Sequence, residues 1–391
     1  MREVRHKYFL MVCIVLSMVM CRKPYEPPAI KAINHFLAVD GFINTGPFTV
    51  TKITLTRSLN LLDSVPNLPE LNAQVLIQSD NGASFPLFDI GNNGIYVSDQ
   101  LTLDPSRKYQ LSVTTSDGNK YLSDPVTPKA SPPIDSLTWE LVNDPSTETE
   151  KVNIYANAHD VTNNTRYYRW DYVETWQHQS VMQTYWGLNN GLEYPIDPSE
   201  STFNCWTTGY SNTIILASSI TLGSDVISHA LVTGFAKNDP KMDIRYSMLI
   251  SQYPLDLDAY KYWLTVQKNS QSLGGLFDVQ PSQINGNFHC ISIPTNTALG
   301  YISACSVHEL RIFIDNRSLP GWKSNPGFEC PIKDIPTDPN NFAIWNYPDT
   351  AYQLWYFVSN FPASPIMKIT YKNCLDCRIQ GGTNIKPPFW Q

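Results

Sequence analysis

Apolar and polar positions alternate in short runs from residue 35 to about 127. Leu37 and Val39, Ile53 and Leu55, Val75 and Ile77, and Tyr109, Leu111 and Val113 each lie two apart. That is the spacing of a strand with one buried face. Turn residues separate the runs: Asn44 to Gly46, Asp80-Asn81-Gly82, Gly91 to Gly94 and Asp117-Gly118-Asn119. Gly, Asn and Asp accept the left-handed backbone that tight turns need. Short strands at these intervals predict an immunoglobulin-like β-sandwich over residues 35–133. Pro125, Pro128, Pro132 and Pro133 close it, because proline donates nothing to a strand ladder.

Strand signals continue from Ile134, as in Leu137-Thr138-Trp139 and Val152-Asn153-Ile154-Tyr155. Tyr167 to Trp176 is an aromatic run, with Tyr168, Trp170 and Tyr172 on one face and Tyr167 on the other. Residues 186–213 are rich in Gly, Asn, Pro and Ser and predict a long insertion. One helix stands out. Asp256 or Asp258 can cap it, and Leu257, Tyr260 and Leu264 share a face with Trp263 beside them. It ends before Gly274-Gly275. The fold class is therefore mainly β. An N-terminal immunoglobulin-like β-sandwich is followed over 134–391 by a second β-rich domain with a long insertion and one helix.

The amino terminus reads as a targeting segment. Arg2, Arg5 and Lys7 precede an apolar run from Tyr8 to Met20, broken by Ser17. Thirteen residues are too few to span a bilayer and match the core of a signal peptide over residues 1–20. Cys21 follows at once, where a bacterial lipoprotein carries its lipidated cysteine. Diacylglycerol on the thiol and a further acyl chain, such as palmitate, on the amine would anchor the chain stably. Residues 21–34, with Pro24, Pro27 and Pro28, then form an extended lipidated tether. Arg22 and Lys23 come before Glu26, which leaves open whether the surface or the periplasmic leaflet is used.

Six cysteines remain after Cys21, an even number that suits disulfides in an exported chain. Register singles out one pair. With Cys290 opposite Cys305, Ile291, Ile293, Ile302 and Ala304 share an apolar face, and a one-residue slip destroys the pattern. A cross-strand Cys290–Cys305 disulfide is expected. Cys205, Cys330, Cys374 and Cys377 are expected in disulfides whose pairing the spacing leaves open. Cys374 and Cys377 form a CxxC, but Gly381, Gly382 and Pro387 follow it, which excludes the helix of a thioredoxin-like redox site. A zinc site would need a second such pair.

Composition narrows the function classes. The net charge is −7 with no Lys/Arg-rich block, which excludes a nucleic-acid binder working through phosphate neutralisation. Charged residues make up 16%, while 21 Tyr and 10 Trp are present, which excludes a disordered chain. The seven histidines show no metal-ligand spacing, and no P-loop, GxSxG or GxGxxG occurs. No catalytic residue, cofactor or metal is expected. Trp176 and Trp186 border the loop-like stretch and are candidate contacts for a ligand or partner, where indoles contribute large amphipathic area.

Several motifs resemble a family of Bacteroidota outer-membrane lipoproteins grouped only as a domain of unknown function. They are Val39-Asp40-Gly41, Gly46-Pro47-Phe48-Thr49-Val50, Leu55-Thr56-Arg57-Ser58, Gly94-Ile95-Tyr96 and Pro133-Ile134-Asp135-Ser136-Leu137. Tyr168-Arg169-Trp170, Gly274-Gly275-Leu276-Phe277-Asp278, Pro281-Ser282-Gln283, Gly286-Asn287 and Leu299-Gly300-Tyr301 continue the match. It ends on Cys374, Asp376, Cys377, Gly381-Gly382-Thr383-Asn384 and Lys386-Pro387 before Phe389-Trp390. Pro388 stands where the family pattern has Asp. The resemblance implies an outer-membrane lipoprotein, often encoded beside a TonB-dependent receptor, with no assigned catalytic residue. It implies a non-catalytic accessory partner in substrate capture or uptake. An envelope enzyme acting on glycans or peptides, and a purely structural envelope protein, are the competing classes.

Overall fold

A computed structural model describes residues 35–59, 68–145, 149–189, 192–271, 284–336, 352–358 and 366–391. The leader, Cys21, the tether and the motifs between Gly274 and Gln283 lie outside the described residues.

The first unit contains β1 (Leu37–Gly41), β2 (Ile43–Asn44), β3 (Lys52–Arg57), β4 (Gln74–Ser79), β5 (Ser84–Asp89), β6 (Ile95–Ser98), β7 (Tyr109–Thr114) and β8 (Lys120–Ser123). Alternation decides which face is buried: Val75, Ile77, Tyr109, Leu111 and Val113 all point into one core. The Asp80-Asn81-Gly82 and Asp117-Gly118-Asn119 turns form where expected. Their glycines take φ of 88° and 83°, a region costly for any residue with a Cβ.

The second unit contains β9 (Ile134–Asp144), β10 (Thr149–Ala158), β11 (Tyr167–Gln179), β12 (Trp186–Asn189), β13 (Leu192–Pro195), β14 (Asn204–Tyr210), β15 (Ile215–Ser218), β16 (Ile227–Ala236) and β17 (Arg245–Leu255). The helix α1 (Leu257–Gln271) follows. Asp256 caps it by accepting the Ala259 N–H at 2.7 Å. Then come β18 (Phe288–Cys290), β19 (Ala298–Leu299), β20 (Ala304–Cys305), β21 (His308–Asp315), β22 (Lys333–Pro336), β23 (Tyr352–Val358) and β24 (Ile366–Tyr371).

Nine strands form the first sheet, in the order β18-β8-β7-β4-β5-β6-β3-β1-β19. Both edges come from the segment that returns after α1, so the sheet nearly closes on itself. Phe288, Cys290, Ile302 and Ala304 complete the first core. The first core is thus built from two separated stretches of chain, and the second resumes after the returning segment with β21, Leu319 and Trp322. Gly286 and Gly300 explain their motifs. A Cβ on Gly286 would lie 1.7 Å from the Gly300 carbonyl oxygen, and one on Gly300 would lie 2.2 Å from that of Val39. Asn287 fixes the same return by bonding both the N–H and the carbonyl of Ile302, at 2.8 and 2.9 Å.

The second core lies between the sheet β16-β10-β9 and the sheet β14-β11-β17-β21, with β15 also on β11. Val152, Ile154 and Ala156 of β10 meet Tyr168, Trp170 and Tyr172 of β11 and Tyr246, Met248 and Ile250 of β17. The expected insertion over 186–213 is more ordered than its composition suggests. It holds the β12–β13 hairpin and a seven-residue strand, β14, paired along β11.

The expected Cys290–Cys305 disulfide does not form; both thiols are free and buried. Residues 288–290 pair with β8, which places Cys290 opposite Tyr121, whereas β20 pairs with β2 and places Cys305 beside Asn44. The expected apolar face holds at Ile302 and Ala304, which are buried, and is inverted from Cys290 to Ile293. Cys290 enters the core, while Ile291 and Ile293 stand 54% and 41% exposed. A free edge on β8 captured the strand that local sequence would have folded back on its neighbour. Burial pushes the Cys305 thiol up to about 12, so it stays protonated and unreactive.

Candidate functional site

Register sets four side chains on one rung of the five-stranded sheet. Gln177 of β11 stands opposite Trp206 of β14 and Arg245 of β17, and Arg245 stands opposite Asp315 of β21. The neighbouring rung of Trp176, Tyr246 and Ile314 faces the second core. Successive side chains point to opposite faces, so the Gln177 rung lies on the outer face.

The carboxy-terminal segment crosses that face. Trp206 and Thr383 exchange main-chain hydrogen bonds of 2.8 and 3.0 Å. Trp390 is buried edge-on to Trp206 and Phe313, with ring centroids 6.4 and 5.7 Å away. The Arg311 guanidinium lies 3.6 Å above Phe389, a cation–π contact. Gly382 has φ 96°, and a Cβ there would sit 2.5 Å from the Trp206 carbonyl oxygen. The Gly381-Gly382 motif is therefore a close crossing of two backbones.

Two disulfides hold this arrangement, Cys205–Cys377 and Cys330–Cys374. The CxxC is a branch point. One cysteine is tied to β14 and the other to the loop after β21.

Between the rung and the terminal segment lies a cleft of about 520 Å³, lined by Gln177, Asn204, Trp206, Arg245, Lys386 and Trp390 among others. The side-chain amides of Gln177 and Gln179 both donate to Asn204 Oδ1, at 3.0 and 2.9 Å, which aligns three carboxamides. The Trp206 indole N–H and Arg245 Nε–H are buried without a partner among the described residues, while Arg245 Nη1 donates to the Gln391 main-chain oxygen. The two carboxylates at the cleft are already engaged. Asp243 accepts the N–H and the hydroxyl of Ser324. Asp315 accepts from the Arg317 side chain and main chain, which holds its carboxyl down at about 2. An ionised, occupied carboxylate is no proton donor near neutrality. The cleft is equipped to bind acceptor-rich ligands through amide and cationic donors.

The indoles singled out in the sequence sit elsewhere. Trp176 is half-buried against the second core, with the Lys241 ammonium 4.9 Å over its ring. Lys241 also reaches Glu174 at 2.6 Å, and Glu174 accepts from Tyr246 at 2.9 Å. Trp186 is half-buried at the start of the β12–β13 hairpin, while the neighbouring Tyr185 is exposed. The indoles at the cleft are Trp206 and Trp390, neither of which the sequence singled out as a contact.

A second polar–aromatic arrangement joins the two units. The Arg169 guanidinium lies between the Tyr253 and Trp263 rings, 4.7 and 4.2 Å from their centroids, and Phe42 packs edge-on against Tyr253. Asp171 faces Arg169 at 3.5 Å and accepts from Tyr253 at 3.1 Å. Burial raises the Asp171 carboxyl, against the pull of Arg169. No three His, Cys, Asp or Glu side chains among the described residues are grouped to hold a metal. No helix among them is long and apolar enough to cross a membrane.

Fold and site define a mainly β protein with two cores and a disulfide-held outer cleft. Residues 22–311 match the family model described as "Domain of unknown function (DUF4249)", and the chain belongs to that family. No curated protein matches the chain. Among solved structures, a DUF4785 family protein from Legionella pneumophila aligns at 8% identity and a TM-score of 0.18. The alignment covers 55% of this chain and 52% of that one, and a likeness of this degree carries no argument.

Proposed function

We propose that this chain is a non-catalytic outer-membrane lipoprotein that binds a polar ligand as the accessory partner of a TonB-dependent receptor. One observation carries the binding role: the outer cleft, where the Gln177 and Asn204 amides, Arg245 and Lys386 converge beside Trp206. Its acidic groups are consumed by internal bonds, which favours binding over proton transfer. The apolar run ending at Cys21 supports the lipid anchor. The resemblance to lipoproteins encoded beside such receptors supports the partner. The ligand class follows from the donors: a molecule rich in hydroxyl or carboxylate oxygens.

The test is affinity purification of the tagged chain from detergent-solubilised outer membranes, followed by mass spectrometry. A TonB-dependent receptor in near-stoichiometric amount supports the reading. Recovery of the chain without a receptor contradicts it.

A further inference from the structure

Two loops at the opposite end of β11 from the cleft are locked to each other. The first spans residues 160–166 and the second residues 219–226. Asp160 donates its N–H to Asp225 Oδ2 at 2.7 Å, and Asp225 donates its N–H to Asn163 Oδ1 at 2.6 Å. Arg166 Nη2 donates to the Leu222 carbonyl at 2.9 Å, and the Ser219 N–H donates to the Arg166 carbonyl at 3.0 Å. Tyr168 and Ser219 hydroxyls complete the cage around the Asp225 carboxylate.

The rigid pair presents aliphatic side chains to solvent. Val161 is 80% exposed, Ile220 54%, Leu222 50% and Val226 46%. Val161, Ile220 and Leu222 lie in the turns of the loops, and Val226 immediately precedes β16. The other exposed residues of the pair are Thr162, Asn163, Asn164, Thr221, Gly223 and Ser224, none of them charged.

Charge is distributed unevenly for a chain with net charge −7. Both loop carboxylates, Asp160 and Asp225, are buried and hydrogen-bonded. Two cations flank the turns: Arg166, and Lys129, which donates to the Asn164 carbonyl at 3.3 Å. The nearby Asp135 is held by His159 at 2.7 Å. Exposed aliphatic side chains, an uncharged rim and flanking cations complement an anionic bilayer surface, where apolar groups enter the acyl boundary and Lys or Arg meets the headgroups.

We propose that these loops are a membrane-dipping contact, and that their partner is an anionic lipid surface. The contact is separate from the lipid anchor and from the cleft. It would seat the second unit against the bilayer and hold the cleft, at the far end of β11, away from it.

The test places an environment-sensitive fluorophore at Ser224→Cys in the mature chain. With Cys21→Ser, labelling is selective, because Cys290 and Cys305 are buried and the other four downstream cysteines are in disulfides. Phosphatidylethanolamine–phosphatidylglycerol vesicles are the probe. The expected result is a blue-shifted emission that spin-labelled acyl chains quench, absent from a label at Ser84→Cys. Adding Val161→Asp and Leu222→Asp should abolish the shift, with circular dichroism confirming an unchanged fold. Emission that stays aqueous on the vesicles overturns the proposal. So does a shift that appears without lipid as protein concentration rises, which marks self-association, or one that requires an added receptor, which marks protein docking.

Discussion

The main-chain N–H of Asp160 donates to the carboxylate of Asp225 at 2.7 Å across 65 residues of sequence. The same carboxylate takes the hydroxyls of Tyr168 and Ser219, and all of these groups are buried. One side chain therefore holds three donors from three parts of the second unit. Asp225→Ala leaves them without a partner away from water, and each such group costs about 1–3 kcal/mol. A loss of about 3 kcal/mol in urea unfolding is expected; a loss below about 1 kcal/mol would contradict the cage.

Glu174 supplies a second check on the same core. It is buried on the inner face of β11 and shared between Lys241 and Tyr246. Breaking a buried pair leaves one charge uncompensated, at about 3–5 kcal/mol. Lys241 is partly open to solvent, so Lys241→Met should cost less, about 2 kcal/mol. Lys241→Met combined with Glu174→Gln should recover part of the loss, as read by a double-mutant cycle.

Cysteine connectivity is open to direct mapping. Non-reducing peptide maps should show Cys205–Cys377 and Cys330–Cys374, with Cys290 and Cys305 alkylated only after unfolding. The 172-residue separation closed by Cys205–Cys377 predicts stabilisation of roughly 5 kcal/mol from restriction of the unfolded chain. Reduction should lower stability by that order and expose Trp390, seen as a red-shifted tryptophan emission. A Cys290–Cys305 peptide would refute the assigned strand order.

Two ion pairs act at opposite ends of the pH range. Hydrogen bonding and charge from Asp135 raise the His159 pKa above its ordinary value. Its contribution is fully present below the unfolded value of about 6.5 and fades as pH rises through the folded one. Arg317 depresses Asp315 to about 2, so that contribution is present above the unfolded carboxylate value of about 3.9 and fades as pH falls towards 2. Histidine NMR titration should give His159 a midpoint above 6.5 that Asp135→Asn returns to the ordinary value. An unchanged midpoint would remove the pair from the account.

Much of the fold was legible in the sequence because burial on one strand face imposes a period of two. Val75, Ile77, Leu111 and Val113 show it in the first unit, and Tyr168, Trp170 and Tyr172 in the second. The helix cap was legible in Asp256 for an equally local reason. What the sequence hid was pairing at a distance. Cys290 was assigned a neighbouring strand, yet the edge of β8, more than 160 residues earlier, takes it. The candidate site was hidden for the same reason. Gln177, Trp206, Arg245 and Asp315 come from four strands and become neighbours only through register. Aromatic density pointed to Trp176, whose alternation with Gln177 turns it towards the core.

The cleft makes its own demand on solution behaviour. A ligand rich in hydroxyl or carboxylate oxygens should perturb Trp206 emission. Lys386→Glu, at an exposed position, should weaken that response without changing stability. A response that survives both Lys386→Glu and Asn204→Ala would move the ligand site elsewhere.

A binding role beside a receptor is checked by recovering the tagged chain from detergent-solubilised outer membranes and quantifying what accompanies it. A TonB-dependent receptor at close to one copy per copy of this chain is the expected result. A chain that elutes without a receptor, at the same yield and intact, would contradict it.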